Sequence, residues 1–262
     1  MSDMHAKHEK PEEARAFDAA AYLQGVDESG GRKDSVPTGF PSVDTLLGGG
    51  PRSGDLVVLG GEVGSGKSAL AMAMALRAAD DGYETAFFSG ELSTERLFER
   101  ALAIEGRARV EDLRHGRLDD QTRAAVGAVA IRLRERAPLF SPLAPNGISG
   151  LSDLLIPYLG LDLIVVDPLQ SLATGRLLQE EELAHAVREL KALAVRRRCA
   201  VLLVSHLARN VRERRDPRPM LDDFGALGAI RHHADIVLGL HREEQYDASR
   251  VSWPWSYIQA VR

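Results

Sequence analysis

Residues 61–68 read GEVGSGKS, with glycine at positions 61, 64 and 66 and a lysine and a serine closing the stretch. This is the spacing of a phosphate cradle, G-x-x-x-x-G-K-[ST]. Glycines let successive backbone N–H groups turn inward on an anion, and a helix that follows adds its positive end. Gly61, Glu62, Val63, Gly64, Ser65, Gly66, Lys67 and Ser68 are therefore the candidate contacts of a nucleoside triphosphate. Lys67 would reach the β- and γ-phosphates, and the Ser68 hydroxyl would help to hold Mg²⁺. The alternative is a glycine-rich turn that happens to contain Lys-Ser.

Three further residues sit at the ends of apolar runs. LIVVD (163–167) closes on Asp167, a second metal-holding candidate if its strand lies beside the cradle's strand; otherwise it is a turn residue or helix cap. FFSGELSTERLFER (87–100) sets Glu91 just past a strand tip and Arg100 nine residues further on. If that strand also borders the cradle's strand, its carboxyl end faces the terminal phosphate, and Glu91 can orient and partly deprotonate an attacking water. The competing role is a cap for the next helix, for which Ser93 and Thr94 are already at hand. His206, in SHLAR, ends a third run and can sense the phosphate and pass its presence to a mobile loop, or else cap a helix.

These residues need a scaffold, and the chain supplies one. Strands are expected at 55–60, 84–89, 161–167, 199–205 and 235–241, with a weaker one in LFSPLAP. Helices are expected over 67–80, 93–106, in two pieces across 109–136, and over 180–197. Strands this continuously apolar are buried on both faces, which implies an α/β fold: a mostly parallel twisted sheet with helices on both sides and right-handed crossovers. Residues 1–35 read as a polar, flexible leader in which PEEARAFDAAAYLQGV forms a short helix behind Pro11, and the catalytic domain spans 36–262.

Bulk properties exclude other classes. Of 262 residues, 44% are hydrophobic and 27% charged, the balance of a globular domain. A net charge of -5 rules out a generally basic surface, so nucleic-acid contact would need local arginine clusters. The single cysteine, Cys199, forms no internal disulfide and reads as a small buried hydrophobe. With no membrane-length apolar run and no secretion signal, a cytoplasmic location is expected.

VPTGFPSVDTLLGGGPRSGDLVVLGGEVGSGKSALAMAMA, FFSGELSTERLFERAL, LIVVDPLQSL, ELKALAVRRRCAVLLVSHLAR and RPMLDDFGALGAIRHHADIVLGLHREEQY resemble, in order, the ATPase domain of DnaB-type replicative helicases. The resemblance covers roughly residues 36–262 and implies a RecA-like P-loop fold that uses ATP and Mg²⁺. It implies that Glu91 is the catalytic base, that Arg100 positions it and the γ-phosphate, and that His206 senses the nucleotide. It also implies a hexameric ring that hydrolyses ATP between subunits and moves on single-stranded DNA. Two rival readings keep the fold: a RadA-like repair or recombination ATPase without unwinding, and a KaiC-like regulatory module.

The chain departs from the family's pattern in four places. The helical N-terminal domain that engages primase is not in this sequence, so primase contact is not expected; the leader helix resembles the family's linker helix. The DNA-facing S-D-L-R-x-S-G becomes DDFGALG, in which Gly225 replaces the arginine and Gly228 keeps its type at the loop's end. Pro168 stands where the family has tyrosine. The sequence stops at YIQAVR, with Arg262 as the candidate arginine finger and Ala260 in place of a lysine. Residues 209–218, RNVRERRDPR, place Arg209, Arg212, Arg214 and Arg215 where they can neutralise DNA phosphates, with interleaved acids that also fit a solvated loop.

Overall fold

The computed structural model describes residues 34–246 and 257–260. The leader helix and Arg262 lie outside them. Within them the expected alternation is present: β1 (Leu56–Gly61), β2 (Thr85–Ser89), β3 (Leu139–Pro142), β4 (Leu163–Asp167), β5 (Ala200–His206), β6 (Ile236–His241) and β7 (Tyr257–Ala260) form one sheet in the order β3-β2-β4-β5-β1-β6-β7. All neighbouring pairs are parallel except β6 with β7, where Leu238 faces Ala260. β7 is a strand that the sequence reading did not anticipate.

The central strands are apolar on both sides because both sides are covered. Every residue of β1, β2 and β4 is buried. Leu56 and Val58 point into one core with α6 (Gly147–Leu154), α7 (Gln179–Arg197) and α8 (Ala229–His233). Val57 and Leu59 point into the other, with α1 (Pro41–Leu47), α2 (Lys67–Asp80), α3 (Thr94–Glu105) and α5 (Asp120–Arg136). The short α4 (Val110–Arg114) links α3 to α5 and buries nothing. The period of two along a strand thus divides one apolar run between two cores.

The strand order corrects one expectation. Neither β2 nor β4 borders β1, whose neighbours are β5 and β6. α2 leaves the end of β1 and packs on β1, β5, β4 and β2 together. The crossover therefore lands three positions away, and β4 and β5 later fill the gap. A linear sequence states which segments are strands but not how far each crossover reaches.

A single missing side chain shapes the centre of the sheet. A Cβ on Gly60 of β1 would lie 2.0 Å from Cε1 of Phe224, whose ring occupies that space. Gly60→Ala should destabilise the fold by about 1–3 kcal/mol through overpacking. Urea unfolding of the single variant and of Gly60→Ala in a Phe224→Ala background checks this, because the alanine should cost far less where the ring is gone.

Candidate functional site

The parallel register puts the chemical residues on one edge. Gly61 at the end of β1 pairs with His206 at the end of β5, and Ser89 at the end of β2 pairs with Asp167 at the end of β4. Ligands bind at this edge in open α/β sheets, since helix N-termini and strand-end loops converge there. Gly61–Ser68 turns from β1 into α2, with Gly64 (φ 80°) and Gly66 (φ 97°) in left-handed conformations that side-chain-bearing residues seldom adopt.

Lys67 opens α2 and is 5% exposed, its Nζ donating to the carbonyl oxygens of Gly61 (2.9 Å) and Glu62 (2.8 Å). Burial lowers its pKa, while the charges of Asp167, Glu62 and Glu91 act in the opposite direction. Ser65, in the middle of the loop, is 1% exposed and its hydroxyl has no hydrogen-bond partner among the described residues. An unsatisfied buried hydroxyl beside a lysine that bonds only to the loop's own carbonyls fits a cradle made for an anion.

Ser68 Oγ donates to Asp167 Oδ1 at 3.1 Å, joining the first turn of α2 to the end of β4 across β5. Asp167 is 5% exposed. Burial raises its pKa and Glu91 raises it further, whereas the Ser68 hydrogen bond, Arg100 and Lys67 oppose the rise. A hydroxyl and a carboxylate are hard oxygen donors of the kind Mg²⁺ takes. Among the described residues no cluster of three or more His, Cys, Asp or Glu makes a protein-only metal cage. Such a site suits an ion held partly by phosphate.

Glu91 stands exposed in the turn after β2. The buried Ser89 hydroxyl shapes that turn by accepting the Glu91 N–H (3.2 Å) and the Leu92 N–H (3.1 Å). The Gly90 N–H donates to the Asp167 carbonyl at 2.8 Å, tying Glu91's neighbour to the end of β4. Ser93 takes the N-cap position of α3 without a side-chain cap, and Arg100 lies two turns along that helix. His206 is pushed below its usual pKa by burial and by Lys67, with Glu91 opposing. Lys67, Asp167, Glu91, Arg100 and His206 thus share one electrostatic neighbourhood.

Two residues here escaped the sequence reading. Gln170, in the 3₁₀ turn Leu169–Leu172, accepts the His206 N–H at 3.2 Å. Glu182 of α7 accepts N–H groups from Thr174, Gly175 (3.0 Å), Arg176 (2.8 Å) and Leu177 (3.0 Å), and the Thr174 hydroxyl (2.9 Å). Burial works against its charge, yet these donors hold its pKa down to about 2. A glutamate inside a triple-acid run, EEE, carries no signal of this role.

The basic segment is more tied down than its composition implies. Arg214 makes two hydrogen bonds (2.8 and 2.9 Å) to the buried carboxylate of Asp223, and Arg212 Nε lies 2.9 Å from Glu62 Oε2. Arg218 pairs with Asp216 at 2.6 Å. Arg209 and Arg215 are exposed and make no ion pair among the described residues. Downstream, Ala226, Leu227 and Gly228 all have positive φ, and Gly228 caps α8. At Gly225 a Cβ would meet the Glu180 carboxylate at 3.0 Å, so the glycine sits against an acid.

The fold and this edge define a RecA-like P-loop ATPase domain. Residues 35–254 match the family model described as the DnaB-like helicase C-terminal domain, and the chain belongs to that family. It is 31% identical over 224 residues to the replicative DNA helicase DnaB of Leifsonia xyli subsp. xyli, covering 83% of this chain and 49% of that protein. It is 32% identical over 225 residues to DnaB of Geobacillus stearothermophilus, with the same coverage of 83% and 49%. The chain thus spans about half the length of these relatives. Among solved structures, one that consists of an ATPase domain superposes with a TM-score of 0.81 at 21% identity, covering 93% of this chain and 89% of that one. A DnaB-like replicative helicase, solved in a study of its interactions with primase, gives 0.79 at 20% identity, covering 92% and 62%. Among the described residues no helix is long and apolar enough to cross a membrane.

Two outcomes follow from this geometry. A Cβ on Gly90 would fall 2.0 Å from the Ser171 Cβ, so Gly90→Ala should displace the turn carrying Glu91 and cut ATP turnover at least tenfold while nucleotide affinity changes little; turnover and binding assays separate the two. The folded pKa of His206 lies below the ordinary 6.5, so the unfolded chain binds the extra proton first. Stability from this residue is full above that pH and falls as pH drops through and below it. Melting curves from about pH 7.5 to 5.5 should fall less steeply for His206→Gln than for the unchanged protein.

Proposed function

We propose that this chain is the motor domain of an ATP-dependent translocase or helicase that assembles as a ring, of six subunits, on single-stranded DNA. The observation that carries the reading is the meeting, on one sheet edge, of Lys67, Ser68, Glu91, Asp167 and His206, in a chain whose family model spans 35–254. Gly61–Ser68 would hold the triphosphate, and Ser68 with Asp167 would hold Mg²⁺, which neutralises phosphate charge when bound. Glu91 would take a proton from the attacking water. Its exposed position past β2 suits that task, since the carboxylate must reach water at the terminal phosphate.

Arg100 would position Glu91 and the γ-phosphate, and His206 would report the phosphate's presence to the 207–219 segment. Arg262 stays the candidate finger toward a neighbouring subunit. On the DNA side, Arg209 and Arg215 are the exposed candidates, with Arg212 available once it leaves Glu62; Gly228 sets the turn of the second loop. Arg214 is engaged by Asp223 and would shape the segment rather than touch phosphate.

Glu91→Gln should lower ATP hydrolysis by about 10²–10⁴-fold without abolishing nucleotide binding. Steady-state hydrolysis with and without single-stranded DNA checks this. Turnover stimulated by DNA and lost in the variant supports the motor. Nucleotide binding with turnover indifferent to DNA would withdraw the DNA motor and leave a nucleotide-binding module.

A further inference from the structure

β5 outruns its neighbour. The pairing of β4 with β5 ends at Val166 and Leu203 and β4 itself stops at Asp167, whereas β5 continues to His206. Backbone N–H groups of a parallel strand point to its two sides in turn: Ala200 donates toward β4, to the Asp162 carbonyl, and Val201 toward β1, to the Asp55 carbonyl. By that alternation the His206 N–H points to the β4 side, where the strand has already turned away. Continuing the ladder in steps of two from Ala200 and Asp162 would give it the Pro168 carbonyl, but the Ser171 N–H takes that oxygen in the 3₁₀ turn. The Gln170 side chain fills the gap, its Oε1 accepting the His206 N–H at 3.2 Å. A carboxamide turned the other way would set its NH₂ against an N–H, so the orientation is fixed. The turn is fixed too: Leu169 and Leu172 are buried in the core, and Ser171 fills the space where a Gly90 side chain would stand, next to Glu91.

We propose that Gln170 is a positioning residue for hydrolysis: its carboxamide holds the end of β5 and so sets where the His206 imidazole stands relative to Lys67 and Glu91. The hold is on the His206 backbone, which leaves the ring free to meet the nucleotide. Because Gln170 sits in the turn that leaves Asp167, the place of His206 is keyed to the end of β4. The inference rests on the reading of His206 given above and adds to it the residue that places that side chain.

The test is a double-mutant cycle on the full chain, read as single-turnover ATP hydrolysis with protein in excess, which registers slow residual rates, and as AMP-PNP affinity. Gln170→Met keeps the length of the side chain and removes the acceptor. It should slow hydrolysis about tenfold or more while AMP-PNP affinity moves by less than about twofold. Gln170→Glu keeps an acceptor oxygen at the same reach and should hydrolyse ATP faster than Gln170→Met. His206→Ala should slow hydrolysis by itself, and Gln170→Met added to it should cost less than about twofold more. An equal loss from Gln170→Met with and without the imidazole overturns the role of Gln170. So does the absence of any loss, a fall in AMP-PNP affinity that matches the fall in rate, or a Gln170→Glu variant as slow as Gln170→Met. Hydrolysis unchanged by His206→Ala overturns the reading of His206, and the role of Gln170 with it.

Discussion

Asp167 is a buried carboxylate placed beside a second acid, Glu91, and the rest of the site is arranged around that difficulty. Burial disfavours the Asp167 charge first, and the exposed Glu91 carboxylate past the end of the neighbouring strand adds to that cost. The chain answers with Lys67 and Arg100 in the same field and with the Ser68 hydroxyl directly on the carboxylate. Lys67 in turn tolerates burial because three acids face it. The cluster is balanced by charges drawn from β2, β4, α2 and α3, so none of these elements can shift without unbalancing the others.

The sheet order makes that convergence possible. With β5 between β1 and β4, the phosphate loop and the end of β4 are separated by a strand that itself ends in His206. Ser68 spans the gap because α2 lies across the sheet instead of along one strand. The 3₁₀ turn after β4 supplies the other link, since Gln170 meets the His206 backbone and Ser171 fills the space that Gly90 leaves. The ends of β2, β4 and β5 are thereby braced against one another.

Much of this was legible in the residues. GEVGSGKS, LIVVD and FFSGE declare a cradle and two strand-end acids, and apolar runs buried on both sides declare a parallel sheet. Two kinds of information were not legible. Strand neighbours depend on crossover reach, which is why Asp167 and Glu91 were expected on strands bordering β1. Side-chain pairing across long separations is equally silent: RNVRERRDPR looks like a free basic run, yet Asp223 and Glu62 each take one of its arginines. The short helices α1, α6 and α8 also went unread, because each is a few turns or less and is held by tertiary packing, not by a periodic pattern of its own.

The ends of the arginine-rich segment meet each other. Leu207 bridges to Phe224, the Ala208 N–H bonds the Asp223 carbonyl at 2.8 Å, and the Phe224 ring rests on the glycine of β1. Residues 208–223 therefore form a closed excursion whose base is fixed independently of its length. Loop-closure entropy grows only logarithmically, about 0.6 kcal/mol for each doubling. Insertions or deletions of a few residues at the exposed part of this excursion, around 215–217, would leave the sheet and its strand-end edge in register. The excursion can thus change length near its tip without moving the part of the molecule that handles the nucleotide.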